Sequence, residues 1–148
     1  MKISLAADHR GFVYKEKIKR FLKARNIEID DVGADSADIS SDYPDFGIRA
    51  ARAVASGSSE FAVLVCGTGN GMAIAANKVK GIRAALVLNP EMARLARAHN
   101  DANVLVMSAM FTPEDAIPAI LEKFLETRFD GDRHERRIGK IRDFEQGR

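Results

Sequence analysis

The chain has 148 residues, 46% hydrophobic and 30% charged, with a formal net charge of +2. That length sets one domain with a sizeable core as the expectation, and the composition is that of a globular protein, not a disordered or fibrous one. The lone cysteine excludes an internal disulfide framework and suits a reducing, cytoplasmic setting, while no apolar run is long enough to span a membrane.

Met1-Lys2-Ile3 leads straight into a strand, so no signal peptide is expected. Residues 3–7 form that strand and run into the polar turn Asp8-His9-Arg10-Gly11. A helix follows, with Phe12, Ile18, Phe21 and Leu22 as its apolar positions. Residues 27–32 alternate with period two and stop at Gly33, which suits an edge strand with one wet face. Residues 34–44 are polar and irregular, and Pro44 fits the first turn of a helix over residues 45–56. Phe61 to Val65 is a third strand, apolar throughout, and residues 82–88 are a fourth. Asn89-Pro90-Glu91 starts a helix on which Met92, Leu95, Ala96 and His99 share a face. A fifth strand spans 103–107. Thr112-Pro113-Glu114-Asp115 reads as another helix start, although Pro118 should kink that helix or shift its beginning. After the break at Asp130-Gly131, a basic helix runs from about 133 to 144.

Strands alternating with helices require parallel crossovers. The expected fold is therefore an α/β three-layer sandwich with a Rossmann-like five-stranded parallel sheet in the order 2-1-3-4-5. In that order the C-terminal ends of strands one and three flank the crevice where such sheets bind ligands. Those ends carry Asp8-His9 and Cys66-Gly67-Thr68.

Strand three runs into Cys66-Gly67-Thr68-Gly69-Asn70-Gly71-Met72, and a small-residue helix follows. This layout aims free backbone N–H groups at an anion or a developing negative charge. A thiol at that helix start should have a lowered pKa. The spacing excludes other phosphate loops. A dinucleotide fingerprint would place its third glycine where Met72 stands, a P-loop lysine is absent, and a cysteine phosphatase would need arginine at Met72. A tight turn holding an inert, buried cysteine fits the same residues.

With these residues in view, the sequence resembles the type B ribose-5-phosphate isomerases and the related galactose-6-phosphate isomerase subunits. The resemblance rests on Ala7-Asp8-His9-Arg10-Gly11-Phe12, Asp42-Tyr43-Pro44-Asp45, the Cys66–Gly71 loop with Ile74-Ala75-Ala76-Asn77-Lys78, Gly81-Ile82-Arg83-Ala84, His99-Asn100-Asp101-Ala102-Asn103 and Asp130–Arg137. It implies interconversion of an aldose phosphate and a ketose phosphate through an enediolate, with no metal and no cofactor. It makes Cys66 the base at carbon, with Gly67, Gly69, Asn70, Gly71 and Thr68 around the enediolate oxygen. It makes His99 the ring-opening acid/base and Asp8 and Asn100 ligands of sugar polar groups. Tyr43 would line the pocket, and His9, Arg133 and Arg137 would grip the phosphate. It also implies a homodimer, or a dimer of dimers, with shared sites.

The residues alone leave other readings open. His99 fits a hydrogen-bonded core position, Tyr43 simple packing, and Asp8 and His9 a helix cap. Residues 133–148 hold six Lys/Arg against three acids, which also fits a solvated face or a subunit contact. RNA binding through that tail would lack aromatics to stack bases, so no nucleic-acid partner is expected. The resemblance breaks at Met110, where the family usually carries an arginine that reaches a neighbouring subunit's phosphate. A different sugar phosphate, or a binding protein without catalysis, therefore stand as alternatives.

Overall fold

The computed structural model describes all of residues 1–148. In chain order it contains β1 (Lys2–Ala7), α1 (Phe12–Ala24), β2 (Glu28–Asp31), α2 (Tyr43–Ala55), β3 (Phe61–Cys66), α3 (Asn70–Ala76), β4 (Ala84–Leu86), α4 (Pro90–Asn100), β5 (Val104–Ser108), a short 3-10 turn (Glu114–Ala116), α5 (Ile117–Glu126) and α6 (Asp132–Glu145). All strand pairs are parallel. No helix is long and apolar enough to cross a membrane.

Side chains alternate across the sheet with period two. Ile3, Leu5, Val63, Val65, Leu105 and Met107 point to one face, where α1, α4 and α5 cover them with Ile18, Leu22, Ala93, Ala96, Leu121 and Phe124. Ala6, Ala62, Leu64, Cys66, Val104 and Val106 point to the other, under Ala50 and Ala51 of α2 and Met72 and Ala76 of α3. This is the three-layer α/β sandwich expected.

The strand order differs. The sheet runs β2-β1-β3-β5-β4, not 2-1-3-4-5. β5 is five residues long and buried throughout, so it suits the interior position. β4 is only three residues long and half-buried, so it takes the edge. The Asn103 side chain clamps that edge, accepting from Arg83 N–H at 2.8 Å and donating to the Gly81 carbonyl at 2.9 Å. The exchange decides where α4 lies. A right-handed crossover that steps from β4 back to β5 travels in the same direction as β1 to β2, so its helix joins α1's face. In the expected order α4 would have covered the opposite face, beside α2 and α3.

Several boundaries also move. β4 is shorter than residues 82–88, with only Ala84, Ala85 and Leu86 in register with β5. Thr112 does not cap a helix; its Oγ1 accepts from Ser108 N–H at 3.1 Å instead. α5 begins at Ile117, which places Pro118 in the first turn, where its missing N–H and ring are tolerated. On α4 the buried residues are the alanines 93, 96 and 98, while Met92 is exposed. Of the face expected from Met92, Leu95, Ala96 and His99, only Ala96 is buried, and Leu95 and His99 stay half-exposed.

Beneath α1, Lys15 is 1% exposed and donates to both oxygens of Asp31 at 2.8 and 2.9 Å. Burial alone would raise the Asp31 pKa, but Lys15, Lys19 and the Gly33 amide outweigh it and hold the carboxyl below its usual value.

Candidate active site

β1 and β3 are hydrogen-bonded neighbours whose connections leave in opposite directions. The crevice at their C-terminal ends is a cleft of about 340 Å³. Asp8, His9, Arg10, Ser40, Ser41, Asp42, Tyr43, Cys66, Gly67, Thr68, Gly71 and Met110 line it. Two segments far apart in sequence meet there because α1 starts against the backbone of β3. A Cβ on Gly11 would lie 2.5 Å from the Val65 carbonyl oxygen, so only glycine permits that approach.

The turn after β1 is fixed by its own groups. Asp8 Oδ1 accepts from Gly11 N–H at 3.0 Å. His9 N–H donates to Ser41 Oγ at 3.1 Å, and His9 Nδ1 accepts from Ser41 N–H at 3.2 Å. The neutral imidazole therefore carries its hydrogen on Nε2. Ser40, Ser41 and Asp42 are site residues that the sequence reading missed. The available signal was the length of the irregular stretch between β2 and α2, since long loops in small domains are commonly functional.

The glycine loop is packed as tightly. Gly69 has φ of 83°, and a Cβ there would meet Leu86 Cδ1 at 2.4 Å. A Cβ on Gly71 would meet the Tyr43 ring at 2.5 Å, so Tyr43 lies directly on the loop and is not packing elsewhere. Thr68 Oγ1 accepts from Asn70 N–H at 3.3 Å. Behind the loop, Ser108 Oγ donates to the Gly67 carbonyl at 2.7 Å and Met110 N–H to the same oxygen at 3.0 Å. The segment after β5 thereby sets the loop's height.

Cys66 is 4% exposed, with its sulfur above that loop. Its pKa is raised from the ordinary thiol value, opposite to the expectation. Burial is the largest cause and the Asp8 carboxylate adds to it, while the amides of Met72, Gly69 and Gly71 pull the other way. α3 has only seven residues, and its terminus stabilises a thiolate by less than burial costs it.

The remaining expected residues do not line this cleft. His99 and Asn100 end α4, and Arg133 and Arg137 lie exposed on α6. There His99 stacks on the buried His134, with ring centroids 4.2 Å apart and planes 8° from parallel. His99 Nε2 lies 3.9 Å from Asp130 Oδ2. His134 has a lowered pKa, from burial first and then from the charges of His99, Arg133 and Arg137. Ligand atoms of His99, Asp130 and His134 fall within 4.8 Å of one another. Because the rings stack face to face, their in-plane lone pairs run side by side and do not converge on one ion. The chain thus carries two polar clusters, a thiol cleft and a cationic histidine face.

Comparison with known proteins gives this arrangement a family. The sequence profile described as Ribose/Galactose Isomerase matches residues 3–141. Ribose-5-phosphate isomerase B of Escherichia coli K12 is 39% identical over 147 residues, 99% of this chain and 98% of that protein. The structure of Clostridium thermocellum ribose-5-phosphate isomerase B superposes with a TM-score of 0.96 at 45% identity, covering 99% of both chains. That of the Mycoplasma genitalium enzyme with bound ribulose-5-phosphate gives a TM-score of 0.95 at 41% identity, over 99% of this chain and 97% of that one. A single thiol over a glycine loop, facing an Asp-His turn across a parallel sheet, is in this chain the mark of its membership in the ribose/galactose isomerase family.

Proposed function

We propose that the chain interconverts ribose 5-phosphate and ribulose 5-phosphate. The observation that carries this reading is the cleft where Cys66 sits over the Gly67–Gly71 loop beside Asp8 and His9. A relative of the same fold has ribulose-5-phosphate bound.

The Cys66 thiolate removes the proton on C2 of the open-chain aldose, and electrons move onto the C1 oxygen. The loop amides and the Thr68 hydroxyl hold that developing oxyanion, a role in which one donor commonly contributes about 3 kcal/mol to the barrier. The C2 hydroxyl proton passes to the C1 oxygen, the C2 oxygen becomes the ketone, and the thiol returns its proton to C1. Asp8 binds a sugar hydroxyl, Tyr43 closes the cleft over Gly71, and His9 donates from Nε2 to the phosphate. The base must be ionised, yet the raised Cys66 pKa leaves little thiolate at neutral pH, so the cleft loses rate there and recovers it as pH rises.

His99 opens the sugar ring, Asn100 binds a polar group, and Arg133 and Arg137 hold the phosphate from two positions four residues apart on α6. Since the cleft has no lining residue from α4 or α6, the reading requires a second copy that inserts its histidine face into this cleft. In a two-fold dimer each copy does this for the other. The lone thiol and the absence of any disulfide suit a cytoplasmic enzyme.

Turnover of ribose 5-phosphate by the wild type and its loss in Cys66→Ser test the chemistry. Mixing inactive Cys66→Ser with inactive His99→Asn tests the shared site. Co-refolded chains should regain about a quarter of wild-type activity, because half the dimers are mixed and each holds one intact site. No recovery places both residues in one chain's site. Met110 lies on the cleft rim beside Arg10, where an added cation would serve a phosphate, so allose 6-phosphate and erythrose 4-phosphate belong in the same assay. Tight binding of any of these without turnover would mark a silent binding protein.

A further inference from the structure

His99 and Asn100 are the last two residues of α4, and the helix stops at Asp101, whose φ of 43° and ψ of 45° are left-handed. Glycine takes that conformation at no cost, and an aspartate does not. Asp101 is held there by two arginines from different parts of the chain. Arg83, on the loop entering β4, donates from Nε to the Asn100 carbonyl at 2.9 Å and the Asp101 carbonyl at 3.0 Å. Its second nitrogen reaches the Asp101 carbonyl at 2.7 Å and Asp101 Oδ2 at 2.8 Å. Arg97, one turn back on α4, donates to Asp101 Oδ1 at 2.7 Å and the Ala102 carbonyl at 2.8 Å. Arg97 is itself anchored, its guanidinium lying over the rings of Phe61 at 4.9 Å and Phe124 at 5.7 Å. The Ala98 carbonyl takes Asp130 N–H at 2.9 Å, which ties the segment before α6 to the same helix end.

A helix end that needed only a stop would be served by glycine and water. Here the carbonyls of Asn100, Asp101 and Ala102 are each taken by a guanidinium, and one strained residue is fixed from both sides of its carboxylate. Strain of this kind persists where the surroundings over-determine a position. We propose that Arg83, Arg97 and Asp101 form a positioning clamp that sets the direction of His99 and Asn100 for the reaction. The clamp rests on the assignment of His99 made above, and none of its three residues lines the thiol cleft. Its purpose follows from the two-copy site: His99 must reach a cleft on another chain, so the helix end bearing it has to be rigid relative to the sheet. Arg83 ties it to the β4 edge and Arg97 to the core between β3 and α5.

The test compares Asp101→Gly, Arg83→Met, His99→Asn and a control, Asn26→Gly. Asn26 is left-handed too, with φ of 56°, but lies at the far end of α1. Asp101→Gly relieves the backbone strain but removes the carboxylate partner of Arg83 and Arg97, so its melting temperature is measured beside its kcat. The clamp predicts that Asp101→Gly and Arg83→Met lower kcat on ribose 5-phosphate at least tenfold with KM within threefold, while Asn26→Gly changes neither. A purely structural cap predicts altered melting with kcat kept. If Asp101→Gly retains kcat within threefold while His99→Asn loses it, the clamp is overturned and the site reading stands. If both retain kcat, the His99 assignment and the clamp fall together. Where Arg83→Met does not fold, Asp101→Gly decides.

Discussion

The cleft exists because α1 starts in contact with β3, and Gly11 is the residue that allows it. Gly11→Ala tests this directly. The glycine has ordinary helical φ and ψ of −89° and −4°, so alanine brings no backbone strain there. All of the cost comes from contact. The new Cβ would sit 2.5 Å from the Val65 carbonyl oxygen, 2.8 Å from its carbon and 3.0 Å from the Ala7 Cβ. Two of these atoms are backbone of a central strand and cannot rotate away, so the start of α1 must retreat by roughly 0.8 Å to restore ordinary contact. Overpacking of this kind costs about 1–3 kcal/mol. For a chain of this size that lowers the melting temperature by about 2–12 °C at a fixed chain concentration. The retreat carries Asp8 and His9 away from Cys66, and a shift near 1 Å commonly costs about a hundredfold in rate. The control is Gly139→Ala on α6, where nothing lies within 4 Å. There alanine should stabilise by about 0.5–1 kcal/mol. Scanning calorimetry and ribose 5-phosphate turnover on both variants give the answer. If Gly11→Ala melts within a degree of wild type and keeps its kcat, the close approach is not what assembles the cleft.

Three further outcomes are expected. Because burial pushes the Cys66 thiol up, its alkylation by iodoacetamide should quicken about tenfold per pH unit from 7 to 9, and a plateau below pH 8 would show an activated thiolate instead. Asp31, held below its ordinary pKa of 3.8, contributes stability that is complete above that value and is lost as pH falls through its depressed folded pKa; Asp31→Asn should abolish this acid limb in urea melts and strand the buried Lys15 charge, costing about 3 kcal/mol at pH 7. Met110→Arg should lower the KM for ribose 5-phosphate about tenfold, the scale of one charge-assisted contact, whereas an unchanged KM would remove Met110 from the account of specificity.

The contrast between what was legible and what was not follows the range of the forces involved. Period-two alternation in residues 27–32, the apolar runs at 61–65 and 103–107 and the Asn89-Pro90 start are local signals, and each marks a strand or helix close to where one lies. That Asp8-His9 and Cys66 lie at one end of neighbouring strands was legible from the expected order, which had β1 beside β3; the close seat of α1 on β3 through Gly11 was not. The thiol's ionisation did not follow from its position at a helix start, because the amide pull is local whereas burial and the Asp8 charge come from residues brought in by folding. Pro118 offered two outcomes, and packing chose the later helix start.

Residue order alone settles the alternation of strands and helices, the glycine loop under a lone thiol and the family to which they belong, since all of these are written in short-range pattern. The exchange of β4 and β5 is of another kind. Both are short apolar strands, and no local feature says which one lies inside. That choice depends on which strand the assembled layers can bury on both sides and which edge Asn103 can close. It also carries α4 to the face that α1 covers, and the assembled structure leaves His99 outside the thiol cleft, as a site shared between two chains requires.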